Sequence, residues 1–130
     1  MKTVYMLFAT DVIHEGHINV VKEAKKYGKV IGGVLCDAAM IRFNRFPTVS
    51  FDERVRMVKD IPEVDEVIVQ NETLYENTLR KIKPDYVIHG DNWCEGPEKT
   101  IRDNAIRVMN ELGGEVIEVP YTRNDNVKKI

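Results

Sequence analysis

Short, continuously apolar runs alternate along the chain with longer stretches of helical period. Val4 to Ala9 is apolar throughout, most of Val30 to Cys36 is too, and shorter runs recur at Val67 to Val69, Tyr86 to Ile88 and Val116 to Val119. Continuous runs, as opposed to alternating ones, predict strands buried on both faces, as in a parallel sheet. Between the runs, Ile101, Ala105, Val108, Met109 and Leu112 fall on one stripe of a helix that Gly113 and Gly114 end. Ser50 followed by Glu53 is a capping box that opens a second helix through Val55, Val58 and Lys59, closed by Pro62. A helix is predicted from about Gly16 to Tyr27 with Gly28 as its stop, and another over roughly Thr73 to Ile82. This strand–helix alternation predicts an open, parallel, five-stranded α/β sheet with right-handed crossovers and helices on both faces. In such sheets ligands bind beyond the carboxyl ends of the strands, so residues just after each apolar run are the candidates for chemistry.

Composition narrows the picture. The 130 residues, 43% hydrophobic and 31% charged, fit one compact domain over 1–130. Nineteen basic and twenty-one acidic residues leave a formal charge of −2, without the broad basic footprint of a nucleic-acid binder, so any basic site is local. No apolar stretch approaches the roughly 18–20 residues of a membrane span. The run after Met1 and Lys2 is too short and wrongly flanked for a signal peptide. Cys36 and Cys94 form no disulfide framework or metal-site pair, which predicts ordinary thiols in a cytoplasmic setting.

The unusual residues follow the first apolar run, in Thr10-Asp11-Val12-Ile13-His14-Glu15-Gly16-His17. Two imidazoles three apart at an incipient helix project to one side. Gly16 lets a ligand approach, and a helix N-terminus offers N–H groups to an anion. That assembly suits a polyphosphate whose oxygens gain charge during phosphoryl or nucleotidyl transfer. Two other readings compete: an ordinary polar helix start, and a zinc site. The zinc reading needs more ligands than His14 and His17 supply.

His14-Glu15-Gly16-His17 after an apolar strand resembles the HxGH signature of the nucleotidyltransferase superfamily. The similarity to its cytidylyltransferase branch extends over nearly the whole chain: Ser50-Phe51-Asp52-Glu53-Arg54, Val64-Asp65-Glu66-Val67, His89-Gly90-Asp91-Asn92-Trp93 and Pro120-Tyr121-Thr122 follow in order. Phe8-Ala9-Thr10-Asp11, Glu72-Thr73-Leu74-Tyr75, Lys83-Pro84-Asp85-Tyr86 and Leu112-Gly113-Gly114-Glu115 are most similar to the cytidylyltransferases associated with phosphoenolpyruvate mutase in phosphonate biosynthesis. The resemblance implies a Rossmann-like fold and transfer of CMP from CTP, with Mg²⁺, to a small phosphonate such as 2-aminoethylphosphonate or 2-hydroxyethylphosphonate. Glycerol-3-phosphate, phosphocholine or phosphoethanolamine as acceptor, and a catalytically weakened nucleotide-binding module, are the alternatives. It further implies that His14 and His17 contact the CTP phosphates and are catalytic. Ala9, Thr10, Asp11, Gly16, Asp91, Asn92, Trp93, Tyr121 and Thr122 would hold the nucleotide, and Arg42, Arg45 and Arg54 phosphate or acceptor. A homodimer near the first helix and pathway association with the mutase are implied too; nucleic acid and membrane are not partners.

Two segments depart from the family pattern. In Ile41-Arg42-Phe43-Asn44-Arg45-Phe46-Pro47, Asn44 stands where the subgroup often has Lys, so one cation is missing from what reads as a basic loop. After Thr122, Arg123-Asn124-Asp125-Asn126-Val127-Lys128-Lys129-Ile130 replaces the family's Gly-Ile-Ser-Ser/Thr-Thr. Gly32-Gly33, inside the second strand, reads as room for close helix packing, and Tyr5, Tyr86 and Met6 read as core.

Overall fold

A computed structural model describes residues 2–9, 13–43, 45–94 and 96–120. Each apolar run is a strand: β1 (Thr3–Phe8), β2 (Lys29–Leu35), β3 (Glu66–Gln70), β4 (Tyr86–Gly90) and β5 (Glu115–Val119). The intervening helices are α1 (Glu15–Lys25), α2 (Asp37–Arg42), α3 (Phe51–Lys59), α4 (Glu76–Ile82) and α5 (Glu98–Leu112), with a 3₁₀ turn over Asp91–Trp93. All strands pair in parallel in the order β3-β2-β1-β4-β5. The chain therefore winds outward from β1 to β3, crosses back to β4, and winds the other way. The strand order reverses between β1 and β4, which makes the carboxyl ends of those two strands the ligand crevice of this fold class.

Two cores flank the sheet, as strands buried on both faces require. Val4, Met6, Phe8, Val30, Val34 and Ile88 pack with Val20, Val21, Ala24 of α1 and Val58 of α3. On the other face Tyr5, Ile31 and Val87 meet Tyr75, Leu79, Val108 and Met109. Tyr5 and Met6 are core as expected, whereas Tyr86 is only half-buried.

The Ser50 half of the predicted capping box forms, as does the glycine stop of α5, while the Glu53 carboxylate pairs with Arg56. Ser50 Oγ accepts the Glu53 N–H at 3.2 Å, and α5 ends at Gly113 in the left-handed region. Gly28 stands past the end of α1 at φ +153°, where a Cβ would lie 2.2 Å from the Lys2 carbonyl oxygen. The two strand glycines divide the role expected of them. Gly32 admits α3, its hypothetical Cβ 3.0 Å from Val58 Cγ1, but the space at Gly33 belongs to the Tyr5 hydroxyl of the neighbouring strand, 1.9 Å from such a Cβ.

Two boundaries differ from expectation. Ile41 and Arg42 stand in α2, not in a loop, because Ala39 and Met40 bury against Leu35. The helix expected from Thr73 starts at Glu76, because other elements satisfy the backbone before it. Gln70 Nε2 donates to the Glu72 carbonyl at 2.7 Å, and Asn104 Oδ1 accepts the Tyr75 N–H at 3.2 Å.

Candidate functional site

Beyond the carboxyl ends of β1 and β4 lies a cavity of about 280 Å³, whose walls include Ala9, His14, His17, Arg45, His89 and Asn92. Phe43, Thr73, Tyr75, Trp93 and Glu98 also line it.

The two histidines of the first loop enter as parts of a helix cap. His14 is the N-cap of α1, and its Nδ1 accepts the Gly16 N–H at 3.0 Å. His17, three residues on, returns the bond: its Nδ1 accepts the His14 N–H at 3.1 Å. This is a capping box built from imidazoles in place of Ser and Glu. Because each Nδ1 accepts, the proton of each neutral ring sits on Nε2. The ring centroids lie 4.1 Å apart. Burial, then the neighbouring rings of His14 and His89, push the His17 pKa down to about 4. At neutral pH His17 is thus an uncharged N–H donor. The cap also consumes the Gly16 N–H expected to face an anion, so the donors at this helix start are imidazole groups more than backbone ones.

From the other side of the switch point comes His89, the penultimate residue of β4, whose Nδ1 lies 2.7 Å from the Gly90 carbonyl oxygen. Its ring stacks on the Trp93 indole, parallel and 3.8 Å between centroids. Burial holds the His89 pKa down near 4 against the raising effects of Gly90 and Glu118. Trp93 is 1% exposed and donates Nε1–H to Glu118 at 2.7 Å. Glu118 takes two further bonds from Arg102, at 2.7 and 3.0 Å, and that guanidinium, with the indole N–H, holds its carboxyl at about 2.

The basic residues separate. Arg45 lines the cavity, donating to the Ala9 carbonyl at 3.1 Å and pairing with Glu98 of α5 at 3.2 Å. Arg42 is exposed and reaches the Asn71 carbonyl at 3.2 Å, off the cavity wall. Arg54 is 2% exposed, donating to the Leu35 carbonyl at 2.8 Å and paired with Asp37. It ties α3 to the end of β2 and does not line the cavity. Gly16 is buried within α1, and Asp91 is exposed in the 3₁₀ turn beside Asn92. Thr10, Asp11, Asn44, Tyr121, Thr122 and the atypical segment 123–130 lie outside the described residues. Cys36 and Cys94 are free thiols. Among the described residues no cluster of three or more His, Cys, Asp or Glu could hold a metal, and no helix is long and apolar enough to cross a membrane.

His89, Tyr75 and Glu98 were missed from sequence. His89 carried a signal, since it ends an apolar run in the same segment as Asn92 and Trp93. Glu98 carried none, because only the return of α5 over the sheet brings it to Arg45.

A doubly wound parallel sheet with a histidine-capped helix and a histidine-lined cavity at its switch point defines the class: an α/β protein with a ligand crevice between β1 and β4. Residues 10–129 match the family described as Cytidylyltransferase-like. The chain belongs to that family of nucleotidyltransferases. It is 35% identical over 103 residues to the ethanolamine-phosphate cytidylyltransferase of Arabidopsis thaliana, covering 75% of this chain but only 24% of that protein. It is 31% identical over 113 residues to the FAD synthase of Methanopyrus kandleri, covering 84% of this chain and 71% of that one. The crystal structure of the lipopolysaccharide core biosynthesis protein from Thermoplasma volcanium shares the fold at TM-score 0.76 and 24% identity, over 96% of this chain and 99% of that chain.

Proposed function

We propose that the cavity transfers a nucleotidyl group, CMP from CTP, to a small phosphonate or phosphomonoester and releases pyrophosphate. The observation that carries this reading is the reciprocal cap of His14 and His17, which sets two Nε2–H groups at one end of the switch-point cavity. An acceptor phosphonate is already largely anionic near neutral pH, so its oxygen attacks the α-phosphorus without a protein base. The bond that breaks is the one to pyrophosphate, and charge grows on oxygens that imidazole N–H groups stabilise in place. A donor that stays neutral, as His17 does, serves this task, because it binds growing charge without first titrating.

The name of the Arabidopsis relative supports a cytidylyl group and a small phosphorylated acceptor. The phosphonate itself rests on the segments around Phe8, Glu72 and Leu112. A second reading, synthesis of FAD, is favoured by the Methanopyrus match, which spans most of that protein.

Incubation with Mg²⁺ and either CTP or ATP, against 2-aminoethylphosphonate, 2-hydroxyethylphosphonate, phosphoethanolamine, glycerol-3-phosphate or FMN, followed by pyrophosphate release, separates these readings. Release with CTP and a phosphonate is the expected result. Release only with ATP and FMN moves the chain to FAD synthesis, and CTP binding without release makes it a binding module.

A further inference from the structure

The three histidines of this chain all line one cavity, and their hydrogen bonds give them opposite polarity. His14 and His17 each accept a backbone N–H at Nδ1, so Nε2 is their donor. His89 Nδ1 instead faces the Gly90 carbonyl oxygen at 2.7 Å. A carbonyl oxygen only accepts, so Nδ1 of His89 carries the proton, and Nε2 of the neutral ring is a lone pair. The ring does not stand alone. It lies flat on Trp93, whose indole is tied by its N–H to Glu118, which Arg102 grips at two points. That rail runs from α5 through β5 to the 3₁₀ turn and fixes the plane in which His89 presents its lone pair.

We infer that His89 is the hydrogen-bond acceptor of the cavity and recognises a hydroxyl or amino hydrogen of the bound substrates, on a plate held by Trp93, Glu118 and Arg102. A lone pair repels phosphate oxygen, so the same ring turns the phosphates toward His14 and His17 and gives the site a direction. The kind of ligand rests on the nucleotidyl-transfer reading; the polarity of the three rings does not.

The full chain labelled with ¹⁵N-histidine tests the polarity directly, since it has only three imidazoles to assign. Long-range ¹H–¹⁵N correlation at pH 7.5 should show His89 protonated on Nδ1 and His14 and His17 on Nε2. His89 protonated on Nε2 overturns the assignment. Titration calorimetry then compares His89→Leu and His89→Gln with the natural chain, using Mg²⁺-CTP, 2-aminoethylphosphonate added to the CTP complex, and inorganic pyrophosphate. His89→Leu should weaken one of the first two about tenfold. His89→Gln, whose amide oxygen also accepts, should recover most of that loss, and pyrophosphate should change less than about twofold. A loss confined to CTP places the recognised hydrogen on the nucleotide, and one confined to the aminophosphonate places it on the acceptor. An equal loss for pyrophosphate, or no loss in any arm, overturns the inference. Expected ring polarity in a chain that binds no CTP overturns the transfer reading instead and leaves the polarity standing.

Discussion

A helix N-cap ordinarily falls to Ser, Thr, Asp or Asn, because a short side-chain oxygen reaches the orphan N–H groups of the first turn. In α1 an imidazole does this at His14, and a second at His17 closes the box. The arrangement makes the bland and the functional readings of these residues separable. His14→Ser keeps an oxygen at the cap and His17→Gln keeps an N3 acceptor, so both should hold Tm within about 2 °C of the natural chain. Pyrophosphate release should nevertheless fall at least about 100-fold, the loss expected for removing one oxyanion-stabilising donor. Full turnover in both variants would show that the histidines are caps and nothing more.

The depressed pKa values make a pH prediction. His17 and His89 stand near 4 in the folded chain and near 6.5 when unfolded, so between those values the unfolded chain binds more protons. Their folded-state stability is complete above pH 6.5 and declines as pH falls toward 4. Around pH 5 unfolding should take up close to two protons from this pair, and His17→Gln or His89→Gln should each remove about one. Chemical denaturation across pH 4.5–7 reads the slope; an unchanged slope in both variants would contradict the buried, neutral assignment.

At the scale of elements, the strands were legible because each is a continuous apolar run, α3 because cap, stripe and stop agree, α5 because its apolar stripe ends at a glycine pair, and α1 because Gly28 marks its stop. What was not legible depends on contacts distant in sequence. The late start of α4 depends on Gln70 and Asn104, and α2 forms because Leu35 offers a surface for Ala39 and Met40. Arg54 read as a phosphate cation, but the position that put it near the sheet edge also buried it against Asp37. In the cavity, His14 and His17 stood out as a local motif, whereas the Trp93–Glu118–Arg102 rail joins three elements and has no local pattern. The strand glycines show the same limit and yield a test. Gly33 houses the Tyr5 hydroxyl, which donates to buried Gln70 at 2.7 Å, and a Cβ there would meet ring atoms with no room to retreat. A Cβ at Gly32 would press side-chain methyls alone, Val58 at 3.0 Å and Val64 at 3.3 Å. Gly33→Ala should therefore cost at least about 2–3 kcal/mol and Gly32→Ala less than half of that, a gap of roughly 5 °C or more in Tm. Equal melting temperatures would mean that Tyr5 can leave its bond with Gln70 at little cost.

For the whole molecule, the decisive quantity is charge. A chain with net charge −2 draws no polyphosphate by its overall field, so attraction has to arise inside the cavity. There, among the described side chains, His17 and His89 are uncharged near pH 7, and Arg45 is paired with Glu98. Among the described residues the cavity supplies direction and hydrogen bonding more than free positive charge. A divalent cation on the triphosphate's own oxygens would add positive charge there, and Mg²⁺ is usually bound through substrate phosphates with few protein ligands. CTP affinity should thus fall at least about tenfold when Mg²⁺ is replaced by EDTA. Glu98→Gln, which releases Arg45 toward the phosphates, should recover part of that loss in the absence of metal, read by titration calorimetry at fixed ionic strength. Metal-independent affinity in the natural chain would mean that Arg45 already leaves Glu98 for the phosphates. The cavity would then carry its own positive charge, and the neutral balance drawn from these side chains would fail.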